Sequence, residues 1–318
     1  MLAEPWTALP PERALPGGLA YEQKTDGYRA LLFARPGHAH IQSRNGADLT
    51  GAFPDLAAAA LALDRPLVLD GELVVVHEGR LHFGALQTRA RRRGRGALQA
   101  AADRPAHLIV FDVLEDAGAQ LLERPYRERR AVLEGLFANR VLVPPFTLCP
   151  ATTDRAVGED WLAPAWGSAG IEGVVVKGLA QPYWPGRRGW IKVRARETAE
   201  GVIGGVTGLV QAPATLLVGR YDSAGRLRMV ARTAPLSTAA RRDVGALLHR
   251  GGLDHPWYGV RFSAGWGLGD LDFTAVQPQQ VVEFLADTSV DDGRWRHPVR
   301  YVRLRGDLSA VDVPLFPG

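Results

Sequence analysis

The feature that most limits what this chain can become is its punctuation. Short runs of β-prone residues recur along the chain, cut by turn signals at intervals too short for long helices. Tyr21–Lys24 and Tyr28–Ala34 read as strands around Thr25-Asp26-Gly27, and Ala39–Arg44 as another, ending at Asn45-Gly46. Pro54 opens an Ala/Leu-rich helix through about Leu63. Pro66–Val76 is a long β-prone run broken by Asp70-Gly71-Glu72. Phe83–Arg89 looks helical, and Ala106–Leu114 is a short apolar strand. Tyr126–Phe137 and Asp154–Trp166 have the apolar spacing of amphipathic helices. Ile171–Lys177 and Trp190–Arg194 are strands joined by the Gly/Pro/Trp loop Gly178–Gly189.

After Arg196 the texture changes. Glu200–Gly208 is Gly/Val-rich, and strands Thr215–Tyr221 and Leu227–Arg232 flank Ser223-Ala224-Gly225. One helix, Ser237–His249, precedes a Gly/Trp-rich loop and strands Gln280–Ala286 and Val299–Arg305. Several short strands with one helix fit a small Greek-key barrel of the oligonucleotide-binding (OB) type. A chain of 318 residues is long for one core and comfortable for two. The expected architecture is therefore α+β, with a first domain over 1–197 and a barrel over 198–318. No internal repeat is visible.

Composition removes several function classes. No run of about 18 apolar residues is present, so no membrane-spanning helix is expected. The start, Met-Leu-Ala-Glu-Pro-Trp, lacks the basic and apolar segments of a secretory signal. The single cysteine, Cys149, excludes an intramolecular disulfide framework and a cysteine-based zinc cluster, and reads as a small buried apolar residue. A cytoplasmic protein is expected. The net charge of +4 and a sequence pI near 9.4 suit an anionic partner without proving one.

The kind of basic residue says more than the amount. Of 38 basic side chains only three are lysines, Lys24, Lys177 and Lys192. An arginine-favouring composition replaces lysine wherever a cation alone suffices, so the survivors are candidates for work arginine cannot do. Arginine stays protonated, whereas a desolvated lysine can lose its proton and attack an electrophile. The plainer alternative is three strand-end lysines left by chance, and their surroundings decide.

Those surroundings are Lys24-Thr25-Asp26-Gly27-Tyr28-Arg29, Asp70-Gly71-Glu72, Phe111-Asp112-Val113-Leu114, Glu172-Gly173-Val174-Val175-Val176-Lys177 and Trp190-Ile191-Lys192-Val193-Arg194. In this order they resemble the motif set of the covalent nucleotidyltransferases: ATP- and NAD-dependent DNA ligases, RNA ligases and mRNA-capping enzymes. Ser43-Arg44-Asn45-Gly46 and Asp292-Gly293-Arg294-Trp295-Arg296-His297-Pro298 are similar to stretches of the bacterial ligase C and ligase D class. The resemblance runs from about residue 18 to 308. It implies a nucleotidyltransferase (adenylation) domain followed by an OB-fold domain, with ATP and Mg²⁺ or Mn²⁺ as cofactors and nicked duplex DNA as partner. Separate repair proteins such as a primase-polymerase or Ku are also associated with that class, and no membrane is.

The resemblance also assigns roles. Lys24 attacks the α-phosphate of ATP and carries AMP as a phosphoramidate; the attacking amine must be neutral, which desolvation and nearby positive charge favour. Lys177 and Lys192 neutralise the α-phosphate and assist that deprotonation. Phe111 stacks on adenine, or is simply a core aromatic, and the backbone near Glu22 reads the base edge. Glu72 and Glu172 serve the ribose and a divalent cation, for which carboxylates are the preferred hard ligands. Arg29 and Arg44 hold ribose or the nick's 5′-phosphate in bidentate fashion. Asp26 sets the turn. The cluster Arg89–Arg95, with Arg89, Arg91, Arg92 and Arg93, is either a DNA-phosphate loop or a solvated one. Arg303, Arg305 and Asp307 resemble the final motif, which orients pyrophosphate, although Leu308 replaces its lysine.

The expected activity is nick sealing by an ATP-dependent DNA ligase, in DNA repair. An RNA ligase or capping-type enzyme shares the chemistry, and a non-catalytic DNA-binding scaffold derived from a ligase is the alternative of another class. No DNA-encircling domain before Lys24 and no attached polymerase or nuclease domain is expected.

Overall fold

The computed structural model describes residues 1–63, 65–77, 79–263 and 269–317. It divides into two compact units, Met1–Ala195 and Arg196–Gly318. No helix among the described residues is long and apolar enough to cross a membrane.

The first unit is built on two sheets. One has five strands in the order Leu2–Trp6, Arg188–Arg194, Ile171–Gly178, Leu19–Thr25, Ala151–Thr152, antiparallel except for its first pair. The other has seven, and its main path runs His38–Ser43, Tyr28–Arg35, Leu67–His77, Ala106–Asp116, Ala119–Gln120. Period-two alternation sorts each strand. In Tyr28–Arg35, Ala30, Leu32 and Ala34 are fully buried in a core that includes Leu56, Leu86 and Leu133, contributed by helices Pro54–Leu61, Phe83–Ala90 and Tyr126–Ala138. The alternate Leu31 and Phe33 pack instead with Trp190 and Val175 of the five-stranded sheet. On the five-stranded sheet Leu19, Tyr21, Val174, Val176, Ile191 and Val193 pack with Trp161, leaving Glu22, Lys24, Lys177 and Lys192 on the opposite parity.

Thr25-Asp26-Gly27 does not make a hairpin. The strands on either side belong to different sheets, so the turn carries the chain from one to the other. Gly27 passes so close to Leu73 that a Cβ would lie 2.4 Å from its carbonyl oxygen. Asp70-Gly71-Glu72 does not break its strand either. Leu67–His77 is continuous and absorbs the motif as a register shift against Ala106–Asp116, while Arg29 stays paired with Glu72 and Leu31 with Asp70.

Other differences have local causes. The expected helix Asp154–Trp166 is a short helix, Arg155–Asp160, and then a 3-10 segment, Pro164–Ala169, because Pro164 cannot donate the amide a continuing helix needs. Gly94, at φ 54°, precedes a further helix, Arg95–Asp103, hidden in sequence by the arginine run. The strand Leu2–Trp6 had no sequence signal strong enough to predict it.

In the second unit one sheet follows the order Leu227–Arg232, Ala212–Tyr221, Arg196–Leu209, Val281–Asp287, Arg300–Leu304. A parallel bridge between Thr233 and Val299 joins its two ends and closes a barrel. Ile203, Leu216, Val218, Val282 and Phe284 fill it, with Val244 of helix Thr238–Gly245. That helix is shorter than expected. Ser237 caps it, accepting from the Ala240 amide at 3.3 Å. The Gly/Trp-rich loop after it lies partly outside the described residues, at 264–268.

Gly173 sits at φ 148°, where the Ile171–Gly178 strand shifts register against Leu19–Thr25. A Cβ there would lie 2.1 Å from the Val193 carbonyl oxygen. Gly173→Ala should therefore cost about 1–3 kcal/mol and lower the melting temperature by several degrees, measured by calorimetry. It should also displace the neighbouring Glu172.

Candidate active site

The inner faces of the two sheets bring the motifs together. Lys24, immediately before the Thr25-Asp26-Gly27 crossing, contacts the Glu172 carboxylate through its ammonium. Glu172 is 4% exposed, and the Gly173 irregularity is what places it beside that strand. Lys192 lies in register with Val175, which in turn opposes Glu22, so three adjacent strands contribute to one row. Burial, with the positive charge of Lys24 and Arg194 nearby, lowers the Lys192 ammonium below the usual lysine range, and Glu172 opposes this. Lys24 and Lys192 are thus electrostatic neighbours. Arg194, on the same strand parity as Lys192, was quoted in the motif but given no role; the Lys-x-Arg spacing on a strand was its signal.

Lys177 has a different setting from the one expected. It is fully buried, with its ammonium 2.8 Å from Glu22 and 3.9 Å from Asp112, and it donates to the Phe111 carbonyl at 3.0 Å. The Trp190, Phe111 and Tyr126 rings surround it at 4.3, 4.8 and 4.9 Å. Glu22 also accepts from the Tyr126 hydroxyl at 2.6 Å; burial pushes its carboxyl up, and Lys177 and Tyr126 pull it back. Lys177 is therefore a buried floor cation held by Glu22, while Lys192 is the lysine next to Lys24.

Arg29 is gripped by Asp70 at 2.9 and 2.6 Å, donates to Tyr183 at 3.1 Å, and contacts the Met1 carbonyl. Its guanidinium lies over Trp190 and Phe111 at 5.0 and 5.5 Å. Phe111 is part-buried and meets Trp190 edge to face. Tyr183, Asp70, Asp112 and Tyr126 are buried site members that the sequence reading left without roles. Asp70 and Asp112 stood inside quoted motifs, whereas nothing local marked the two tyrosines.

Glu72 belongs to the same inner face. Burial, with Glu172 and Asp26 adding negative charge, raises its carboxyl to about 8 against the opposing pull of Lys24 and Arg29. Glu72 and Glu172, two enclosed hard-oxygen donors close to Lys24, fit a divalent cation. Arg44 is exposed beyond strand His38–Ser43, without hydrogen-bond or ion-pair partner among the described residues, and its charge reaches Lys192. Cys149 is buried, as expected, and donates to the Gln23 carbonyl at 3.5 Å.

Arg89 is not a DNA-phosphate contact. It is 2% exposed, ion-paired with Asp55 at 2.7 Å and bonded to the Arg104 carbonyl at 2.7 Å, so it joins two helices of the core. Its position in the last turn of Phe83–Ala90, on the face shared with Ala85 and Leu86, turns it inward, while Arg91, Arg92 and Arg93 are exposed beyond the helix end. In the second unit, Arg305 is gripped by Asp307 at 2.9 and 2.8 Å and reaches Glu200 at 2.8 Å, while Arg303 pairs with Glu283 at 2.8 Å. Arg305 holds the Asp307 carboxyl down at about 2. Glu200 and Glu283 face each other across the ladder, so the two arginines offset a like-charge pair. Leu308 packs against the apolar cluster containing Trp257, which explains how the barrel accommodates it in place of a lysine.

A carboxyl raised from 4.5 to about 8 binds a proton on folding. Its contribution is present below pH 4.5 and lost as pH rises toward and through 8. In chelator-treated protein, stability should fall across that window, and Glu72→Gln should flatten the slope, read from melting temperature against pH. Identical slopes for the two proteins would exclude Glu72 as the source.

A family model described as ATP dependent DNA ligase domain matches residues 1–194. DNA ligase C2 of Mycolicibacterium smegmatis is 34% identical over 317 residues, covering 93% of this chain and 88% of that protein. DNA ligase C of Mycobacterium tuberculosis is 33% identical over 331 residues, covering 96% and 89%. The solved structure of a mycobacterial DNA ligase D complexed with ATP and MES is 30% identical, with a TM-score of 0.50, and covers 99% of this chain and 98% of that one. With its motifs drawn onto one face between two sheets and a barrel following, this chain belongs to the ATP-dependent DNA ligase family.

Proposed function

We propose that the chain seals 5′-phosphate/3′-hydroxyl nicks in duplex DNA through a lysyl-AMP formed on Lys24. The observation that carries this reading is the placement of Lys24 at the mouth of the sheet crossing, against Glu172 and beside Lys192. The Lys24 amine attacks the α-phosphate of ATP, a nitrogen–phosphorus bond forms, and pyrophosphate leaves. AMP then passes to the 5′-phosphate of the nick, and the 3′-hydroxyl displaces it.

Roles follow from the setting of each group. Lys192, with Arg194 beside it, offsets α-phosphate charge and favours the neutral form of the attacking amine. Lys177 forms the cationic floor, closed over by Trp190, and the part-buried Phe111 stacks on adenine. Glu72 and Glu172 hold Mg²⁺ or Mn²⁺, which supplies charge neutralisation on the phosphates. Arg29 and Arg44 take ribose or the 5′-phosphate, Arg29 on release from Asp70. Arg91, Arg92 and Arg93 contact DNA phosphates. In the motif Arg303, Arg305 and Asp307, the two arginines orient pyrophosphate, Arg303 on release from Glu283 and Arg305 on release from Glu200 and Asp307. The adenylation domain expected over 1–197 and the OB-fold domain expected over 198–318 are assigned to the two units, which divide two residues earlier, between Ala195 and Arg196. A repair role with a primase-polymerase or Ku as partner is part of the proposal.

Lys24→Arg should keep the charge and the fold while forming no adduct with labelled ATP. Glu172→Ala should slow adduct formation about 10–100-fold, with partial rescue by Mn²⁺. Labelling with ATP against GTP, then sealing of nicked DNA against nicked RNA, tests substrate class. Normal adenylation by folded Lys24→Arg, or preferential sealing of RNA, would contradict the proposal.

A further inference from the structure

We propose that Arg129 is a positioning residue of the nucleotide pocket, holding the Asp112 carboxylate so that the floor beneath a bound nucleotide carries no net negative charge. The inference rests on the reading of this pocket as the ATP site.

Arg129 cannot touch substrate. It is fully buried on helix Tyr126–Ala138, outside both sheets. Its Nε and Nη2 donate to the two oxygens of Asp112 at 2.8 and 2.9 Å, and Asp112 is equally buried. Its Nη1 donates to the Arg124 carbonyl at 2.6 Å and the Gln181 carbonyl at 3.2 Å, so the guanidinium is fixed on three sides. The Tyr183 and Tyr126 rings cover it at 5.7 and 5.9 Å.

The significance lies in what Asp112 would otherwise do. Its Oδ2 is 3.9 Å from the Lys177 ammonium, which already has a carboxylate partner in Glu22 at 2.8 Å. Arg130, 4.0 Å from Glu22, is itself paired with Glu134 at 2.7 Å, so without Arg129 the Asp112 charge would be left over, giving a net negative charge under a site meant for a polyphosphate. With Arg129, Glu22 and Asp112 are balanced by Lys177 and Arg129. Interactions at these separations are strong where water is excluded, so one uncompensated charge weighs heavily against an anionic ligand.

The test is ATP dependence of protein–AMP formation in the full chain, followed by label incorporation, with melting temperature recorded for each variant. Arg129→Met should raise the KM for ATP about tenfold or more, with a smaller change in the saturated rate. Adding Asp112→Asn to it removes the stray charge and should return KM to within about threefold of wild type, equivalent to under 1 kcal/mol. A merely structural role would lower melting temperature without a KM change that the second substitution reverses. If Arg129→Met does not fold, Arg129→Lys keeps the charge but cannot grip both oxygens. It should raise KM by a smaller factor, again reversed by Asp112→Asn. An unchanged KM in the folded single variant, or a raised KM that persists in the double variant, overturns the proposal. Failure of the wild-type protein to take label from ATP would instead overturn the nucleotide reading itself.

Discussion

Lys177 has no exposed surface, yet it carries an ammonium into the space between two sheets, and the first unit is arranged to make that tolerable. Burying a lone charge costs far more than a domain's net stability can absorb, so the charge must be matched where it lies. Glu22 matches it from the neighbouring strand and Asp112 from the other sheet, and Phe111, Tyr126 and Trp190 close over it with ring faces. The two acids need their own compensation, which Tyr126 and Arg129 bring from one helix. The network therefore ties both sheets and the helix to one point. A site so fixed can hold a reactive lysine two residues along the strand from Glu22 without reorganising to do so.

The chemistry of Lys24 depends on a second arrangement built around the first. Glu172 reaches it because Gly173 allows the strand to shift register, and Lys192 is brought near by the regular ladder on the other side. The crossing at Asp26-Gly27 then turns the chain into the sheet that carries Arg29 and Glu72. The proposed nucleophile, the cations around it and the metal-capable carboxylates are thus drawn from five strands, each by a short-range rule.

Much of this was legible in the sequence, for reasons that differ by residue. Tyr28–Ala34 was legible as a strand because one of its faces is buried, which selects a period of two, and Ile171–Lys177, enclosed at nearly every position, because of its run of three valines. The scarcity of lysine singled out Lys24, Lys177 and Lys192, all of which lie on inner faces of the site sheets. The depth of Lys177 was not legible, because strand parity says which face a side chain takes but not what closes over it. Arg89 was misread for a related reason: an arginine run looks uniformly solvated until helix geometry turns one member inward to Asp55. Tyr183 and Arg129 act through contacts more than 50 residues apart in sequence, at Asp70 for Tyr183 and at Gln181 for Arg129. Asp26-Gly27 was read correctly as a turn between strands, which proved to belong to different sheets, whereas Asp70-Gly71 was read as a break and sits inside a continuous strand.

The account's central claim is that Lys24 is the atom-level acceptor of AMP, and peptide mapping tests it most directly. The protein would be incubated with ATP and Mg²⁺, its intact mass measured, and a digest sequenced by mass spectrometry. The account predicts the mass of one added AMP, lost on incubation with pyrophosphate, and carried by the peptide containing Glu22-Gln23-Lys24. An adduct found on Lys177, on Lys192 or on a peptide without lysine would contradict it.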